Sequence, residues 1–358
     1  MVDDTPADRL SPEVRFTVES EDGHYWGTAA YDRYTGSGWV RTGEAEPYES
    51  RLAGPPGEDR EIRQRVTAKD RLNSVPSAWK PVEVDGSLAD RTEVTGQGFL
   101  RPTGTLRANE SYTVVSEAPE FTEEDLRESD DDYPALVEEA YLQLPESTSD
   151  RVRERAAEVT AGESSTYDEA VAVEAYLESN KQYSLTVDKP EGDVADAFLF
   201  EMESGYCVYY ATTMVVMLRS EGIPARFVTG YTSGQRVSED GYVVRGLDSH
   251  AWVQVYFPET GWVNFDPTPG GPRESAENAR IEEARRNDAQ NVDTDGSEGG
   301  EYTTPAPETA TTTTATQTTT TTTANTSDGN GSNGSAGGEP TLPGNVPTQG
   351  SGFAGNGS

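Results

Sequence analysis

A long apolar helix followed at once by short strands constrains this fold more than any other feature of the chain. Residues 205–224 read GYCVYYATTMVVMLRSEGIP, and their apolar side chains recur at the three- and four-residue steps of a buried helix. Ser204 or Gly205 is expected to cap this helix, which should run over about residues 206–219 until Gly222 ends it. Its predicted buried stripe comprises Tyr210, Met214, Met217 and Leu218.

The segments after this helix predict an antiparallel sheet. Residues 226–231, 242–245, 250–257 and 262–266 read as strands, and the sequence PETG between the last two predicts a turn. A helix followed by antiparallel strands gives an α+β arrangement in which the helix packs on the sheet.

The last hairpin places two polar side chains on one face. If residues 259–261 form a three-residue loop, Pro258 pairs with Trp262, and His250 and Asp266 then point to the same side of the sheet. That register alone leaves the two side chains too far apart. A bulge or a different loop therefore has to close the gap.

Cys207 completes a candidate catalytic set. It lies in the first turn of the predicted helix, where unpaired N–H groups and the helix dipole favour negative charge on the sulfur and on an oxyanion. A lone cysteine is more often an inert buried side chain, a lone histidine more often structural, and an aspartate before proline more often part of a turn. Together, in the order Cys, His, Asp, they predict a thiol nucleophile, a base and a carboxylate that orients the base.

These residues lie in motifs that resemble the core of the transglutaminase-like superfamily. The motifs are the cysteine that opens a helix, LRSEGIPARFVTGY, DSHAW and GWVNFDPT, and the resemblance covers roughly residues 152–270. Within the superfamily, the chain is most similar to the soluble domain of TgpA-type membrane proteins, and YDRYTGSGWVRT and YLQLP extend this likeness upstream. By resemblance, Cys207, His250 and Asp266 match the catalytic triad, and Tyr183 is the candidate side chain for the oxyanion hole.

The resemblance implies a papain-like core and thiol acyl transfer. The enzyme would attack a carboxamide or peptide bond of a protein or peptide substrate through a thioester, as a transglutaminase, amidase or protease, and it would need no metal or other cofactor. The resemblance also implies an extracytoplasmic domain at the cell surface, held to the membrane by segments outside this chain. The alternative is a catalytically silent ectodomain of the same fold that binds a partner or serves as a scaffold.

The N-terminal part of the chain predicts a small β-rich domain, residues 1–118. Its strand-like runs are separated by Gly, Pro and Asn. An aromatic cluster in this part is expected to form core packing rather than a carbohydrate-binding surface. The cluster consists of Tyr25, Trp26, Tyr31, Tyr34 and Trp39.

Three further segments complete the predicted organisation. Residues 119–148 predict an acidic helical connector, and residues 149–272 predict the catalytic domain, which opens with helices over 149–160 and 166–180. Residues 273–358 are first highly charged and then rich in Thr, Gly and Ser. They predict a disordered stalk or linker, because so few apolar side chains cannot form a core.

Composition excludes several classes of partner. With 64 acidic and 28 basic residues, the chain has a net charge of −36, which repels nucleic-acid phosphates and anionic lipid headgroups. Concentrated salt screens such self-repulsion, so a salt-adapted, haloarchaeal source is expected, and an ordinary acidic protein is the alternative. One cysteine and two histidines cannot form an internal disulfide or a Cys/His zinc site. No apolar run is long enough to span a bilayer.

Overall fold

The computed structural model describes residues 10–294 and 296–297, and every structural statement below concerns those residues. Most of the predicted stalk, from residue 298 onward, lies outside the described residues. Among the described helices, none combines the length and the apolar character needed to cross a membrane.

Residues 10–119 contain ten strands. They are Val14–Glu19 (β1), Trp26–Tyr31 (β2), Arg33–Tyr34 (β3), Trp39–Val40 (β4), Glu46–Pro47 (β5), Asp59–Ala68 (β6), Pro81–Val84 (β7), Thr92–Val94 (β8), Leu100–Pro102 (β9) and Ser111–Pro119 (β10). Buried and exposed side chains alternate along β1 and β6, as expected for a sheet with one face in a core. The aromatic residues of this part form core packing, as predicted, but they are divided among three core clusters. Four of the five are buried, and Tyr31 is partly buried against the cluster that contains Tyr34 and Trp39.

The remaining described residues form seven helices and seven strands. They are Glu123–Glu128 (α1), Ala135–Tyr141 (α2), Asp150–Thr160 (α3), Thr166–Asn180 (α4), Gln182–Tyr183 (β11), Val194–Phe200 (α5), Ser204–Gly205 (β12), Cys207–Ser220 (α6), Ala225–Tyr231 (β13), Gln235–Arg236 (β14), Gly241–Arg245 (β15), Ser249–Phe257 (β16), Gly261–Phe265 (β17) and Gly270–Arg286 (α7). Helices α3 and α4 confirm the two helices predicted at the start of the catalytic segment.

Two sheets join N-terminal strands to strands from far along the chain. The six-stranded sheet has the order β14-β15-β1-β6-β10-β7, and the four-stranded sheet has the order β17-β16-β13-β2. In the second sheet, Ala30 of β2 lies opposite Val228 of β13. The boundary predicted at residue 118 therefore marks a change from strands to helices, while both sheets extend across it.

Helix α6 lies in the centre of the main core. The four residues of its predicted stripe are buried, and Gly222 follows the helix with φ of +83°, as its predicted end requires. The predicted cap is wrong. Ser204 and Gly205 form β12, and Tyr206 is the N-cap residue without a side-chain cap bond. The helix begins at Cys207 and shares a core cluster with one face of the four-stranded sheet, including Val253.

The prediction of a disordered segment from residue 273 is wrong at its start, because helix α7 extends to Arg286. Arg273, Glu277 and Ile281 are buried at four-residue steps along it, and Ile281 packs in a small cluster with Leu247 and Val292. The segment was read as disordered because only a few apolar side chains hold it. The helix brings two buried charges close to the candidate catalytic residues.

Candidate active site

Cys207 is held at the point where a short strand meets a buried helix. Strand β12 pairs in parallel with β11, and α6 begins two residues after Gly205. Cys207 is 9% exposed, so its sulfur lies at the base of a cleft. The backbone N–H of Tyr209 donates to the Tyr206 carbonyl at 2.8 Å. The N–H groups of Cys207 and Val208 are therefore the ones that can stabilise negative charge at this helix N-terminus.

His250 and Asp266 form a hydrogen-bonded pair on neighbouring strands. The distance from His250 Nε2 to Asp266 Oδ2 is 2.8 Å. Tyr256 lies opposite Trp262 in the hairpin, so the predicted pairing of Pro258 with Trp262 is wrong by two residues. The predicted shared face is nevertheless right. The observed register makes Asp266 the diagonal neighbour of His250, which closes the gap without a bulge.

The electrostatics of the pair favour an ionised carboxylate and a charged imidazole. Burial would raise the pKa of Asp266, but His250, Arg273 and Tyr25 outweigh it and lower that pKa to about 2. Burial would likewise lower the pKa of His250, but Asp266 and Cys207 raise it to about 9. Each group therefore stabilises the charge of the other inside the protein.

This pairing decides which imidazole nitrogen is available to the thiol. Because Asp266 is ionised, Nε2 of His250 carries the proton that the carboxylate accepts. Nδ1 is buried, and no other atom of the described residues is placed to form a hydrogen bond with it. The Cys207 side chain is nevertheless close enough to raise the pKa of the His250 imidazole. Nδ1 is thus the nitrogen that receives the thiol proton, and the imidazole becomes charged when it does so.

Tyr25 supports the pair from the N-terminal part of the chain. Its hydroxyl donates to Asp266 Oδ2 at 2.6 Å, the same oxygen that contacts His250. Its ring lies 5.6 Å from the His250 ring, between centroids. Strand β2, which follows Tyr25, approaches β13 closely because Gly230 of β13 lies opposite Gly27 of β2 and neither has a Cβ atom. A Cβ atom on Gly230 would lie 2.2 Å from the carbonyl oxygen of Trp26.

Three buried charges surround the pair from two helices. Glu174 of α4 accepts a hydrogen bond from the backbone N–H of Asp266 at 2.7 Å. From α7, Arg273 lowers the pKa of Asp266 and contacts Glu277 at 3.4 Å. Burial raises the pKa of Glu277 to about 7, and Arg273 only partly opposes this rise.

The sequence did not point to Tyr25, Glu174, Arg273 or Glu277. Tyr25 and Asp266 are 241 positions apart, and Glu174 and Asp266 are 92 apart, so their contacts depend on the tertiary fold. The four-residue spacing of charged residues in α7 was the one available signal.

Tyr183 lies beside the candidate nucleophile, as its predicted role requires. It pairs with Gly205 across β11 and β12 and lines the same cavity of about 530 Å³ as Cys207 and His250. Burial and the neighbouring Cys207 raise the pKa of the Tyr183 hydroxyl. The phenol therefore keeps its proton and can donate a hydrogen bond.

Residues 153–267, which include all three candidate catalytic residues, match the family model of the transglutaminase-like superfamily. These residues form a domain of the transglutaminase-like superfamily. The transglutaminase-like chain is 32% identical over 289 residues to the uncharacterised protein YebA of Bacillus subtilis, covering 71% of this chain and 38% of that protein. It is 44% identical over 87 residues to a protein-glutamine gamma-glutamyltransferase of Pseudomonas aeruginosa, covering 24% of this chain and 13% of that protein.

A solved structure shares the fold of most of this transglutaminase-like chain. The periplasmic domain of TgpA from Pseudomonas aeruginosa superposes with a TM-score of 0.58 at 24% identity, covering 80% of this chain and 94% of that one. The expected transglutaminase-like α+β fold is thereby confirmed. The chain spans well under half the length of the curated relatives described above.

Proposed function

We propose that the protein is a thiol acyl-transfer enzyme that acts on carboxamide or peptide bonds. The observation that carries this proposal is the arrangement of the three groups. Asp266 fixes Nε2–H of His250, and Nδ1 is left for the Cys207 thiol at a helix N-terminus. The matched relative named a protein-glutamine gamma-glutamyltransferase makes a glutamine carboxamide the first substrate to test.

In the first half-reaction, Nδ1 of His250 holds the proton received from the thiol, and the sulfur of Cys207 attacks the carbonyl carbon as a thiolate. The tetrahedral oxyanion would accept hydrogen bonds from the N–H groups of the first α6 turn and from the Tyr183 hydroxyl. When the C–N bond breaks, His250 returns the proton to the leaving ammonia or amine, and an acyl thioester remains on Cys207.

In the second half-reaction, water or an amine attacks the thioester. His250 takes a proton from this nucleophile and gives it to the departing thiolate, which regenerates Cys207. Both steps balance with protein side chains, substrate and acceptor, so the mechanism requires no cofactor.

We place this activity on the extracytoplasmic side of a membrane, in a domain anchored by segments outside the present chain. The support is the likeness to a domain described as periplasmic. The net charge of −36 supports a salt-adapted environment, because molar salt shortens the screening length to about 3 Å.

The first test is alkylation of Cys207 by iodoacetamide between pH 6 and 9 in molar salt. Because the chain has a single cysteine, every thiol reaction reports on this site. We expect the wild type to react faster than His250→Ala at pH 6, because His250 takes the thiol proton. In His250→Ala the rate should fall about tenfold per pH unit below about 8.5, as for an ordinary thiol.

The second test is ammonia release from a glutamine peptide with and without a small amine. Ammonia release that depends on Cys207 establishes acyl transfer, and incorporation of the amine distinguishes transfer from hydrolysis. A folded protein whose thiol reacts no faster than in His250→Ala, and which releases no ammonia, would refute the enzyme proposal. The catalytically silent binding or scaffold ectodomain would then be favoured.

A further inference from the structure

The cavity over Cys207 has two walls that come from different parts of the chain. Cys207, Tyr183 and His250 line one wall, and residues from β1, β2, β9 and the loops of the N-terminal part line the other. The second wall lies entirely outside the segment that matches the superfamily. The match to the superfamily therefore does not account for the chemistry of this wall.

The N-terminal wall is basic in a protein that is otherwise strongly acidic. Acidic residues outnumber basic ones by 64 to 28 in the chain, yet no aspartate or glutamate is among the described residues that line this cavity. Four arginines line it, and they come from four separate segments. They are Arg15, Arg41, Arg71 and Arg101.

Two of these arginines have no ion-pair partner among the described residues. Arg15 pairs with Asp70, and Arg101 pairs with Glu93, so their charges are partly neutralised. Arg41 and Arg71 form no such pair within that part of the chain. Arg41 is partly buried, and Arg71 is exposed at the cavity. Guanidinium groups in this situation bind carboxylates with paired hydrogen bonds.

We propose that this cavity selects acyl donors in which the reacting carboxamide is flanked by carboxylates, that is, glutamine within an acidic peptide segment. The inference deepens the proposed function and rests on it. A cavity of about 530 Å³ accommodates a few residues of an extended peptide. A long polyanion such as a nucleic acid is excluded, because the surrounding surface has the same sign of charge.

Binding can be measured without catalysis in Cys207→Ala. The probes are two fluorescein-labelled peptides, Gly-Glu-Gln-Asp-Gly and Gly-Gln-Gln-Asn-Gly, which carry the same dye and differ only in their acidic side chains. They are compared by fluorescence anisotropy in the lowest salt that keeps the protein folded. We expect the acidic peptide to bind about tenfold more tightly. Adding Arg41→Gln and Arg71→Gln should remove most of that preference.

The matched control for each of the two substitutions made singly is Arg153→Gln, which also removes one positive charge, from an exposed position on α3. It should leave the ratio of the two dissociation constants unchanged. Equal affinities for the two peptides, or an equal loss with Arg153→Gln, would overturn the proposal. Such a loss would mean that net charge, rather than the cavity, controls binding.

A second measurement compares two alkylating reagents on wild-type Cys207. The basic wall should raise the alkylation rate of anionic iodoacetate relative to that of neutral iodoacetamide. The Arg41→Gln, Arg71→Gln double variant should lower the ratio of these two rates about threefold. An unchanged ratio contradicts a basic wall next to the sulfur. If the thiol reacts with neither reagent, the acyl-transfer proposal fails, while peptide binding still decides whether the wall selects acidic segments.

Discussion

Residues 153–267 and residues 10–119 contribute to one site in different ways. The first segment matches the transglutaminase-like superfamily and supplies the three candidate catalytic residues. The second carried no chemical motif in the sequence, yet it adds β2 to the same sheet and Tyr25 to Asp266, and it lines the cavity with arginines. The segment that can be recognised from motifs is therefore only part of the site.

The two segments also share one core. Trp39 stacks on Phe227 of β13 at 5.3 Å between ring centroids, and its indole N–H donates to Thr212 of α6 at 3.0 Å. Packing of this kind makes the two segments fold together, since neither can bury these surfaces alone.

The largest effect should come from a change inside the recognised segment. Asp266→Asn is expected to slow acyl transfer by about 10³- to 10⁴-fold, because an amide no longer fixes the proton on Nε2 of His250. The measurement is ammonia release from a glutamine peptide. Asp90→Asn, at an exposed aspartate, is the control and should have no effect. A loss of less than tenfold would show that Asp266 does not orient the base.

The next largest effect tests whether the N-terminal segment is part of the common core. Trp39→Ala should lower the free energy of unfolding by about 3–5 kcal/mol, because a buried indole and its hydrogen bond are removed. Denaturation followed by both tryptophan fluorescence and Cys207 alkylation should show one transition, shifted as a whole. Two separated transitions, with Cys207 still protected after the first, would instead indicate independent domains.

The charge pair should make stability depend on pH. The pKa of His250 is about 9 in the folded protein and 6.5 for a free histidine. The contribution of charged His250 to the free energy of unfolding is therefore fully present below pH 6.5 and is lost as the pH rises through 9. A difference of about 2.5 in pKa corresponds to about 3 kcal/mol.

The part of this dependence that is due to Asp266 can be isolated in a Cys207→Ser background, which removes the thiol that also raises the pKa of His250. The free energy of unfolding of that protein should exceed that of its His250→Gln derivative most at pH 6 and least above pH 9. A difference that stays constant across this range would mean that His250 is not charged in the folded protein.

The sequence predicted those features that depend on neighbours along the chain. Helical spacing predicted α6, and period-two alternation placed His250 and Asp266 on one face. The register was wrong because Phe257 pairs with Gly261, so the three-residue loop both begins and ends one residue earlier than assumed. Helix α7 was missed because its buried face is largely charged, with Arg273 and Glu277 in place of apolar residues.

The contact of Tyr25 with Asp266 could not be predicted from spacing in the sequence. It allows a direct test of whether residues 10–119 affect the candidate catalytic residues. Tyr25→Phe keeps the ring that packs on Trp252 but removes the hydrogen bond to Oδ2 of Asp266. We expect kcat for ammonia release to fall about tenfold with KM unchanged, because a carboxylate with one fewer hydrogen bond holds His250 less firmly.

Tyr112→Phe is the matched control. It removes another buried tyrosine hydroxyl of the N-terminal segment, which donates to the Pro76 carbonyl at 3.1 Å and does not contact the pair. Both variants should lose about 1 kcal/mol of stability, so stability alone cannot separate them. If only Tyr25→Phe is slow, the N-terminal segment positions the catalytic carboxylate. If both variants are equally slow or equally active, the N-terminal segment contributes only packing and charge to the site.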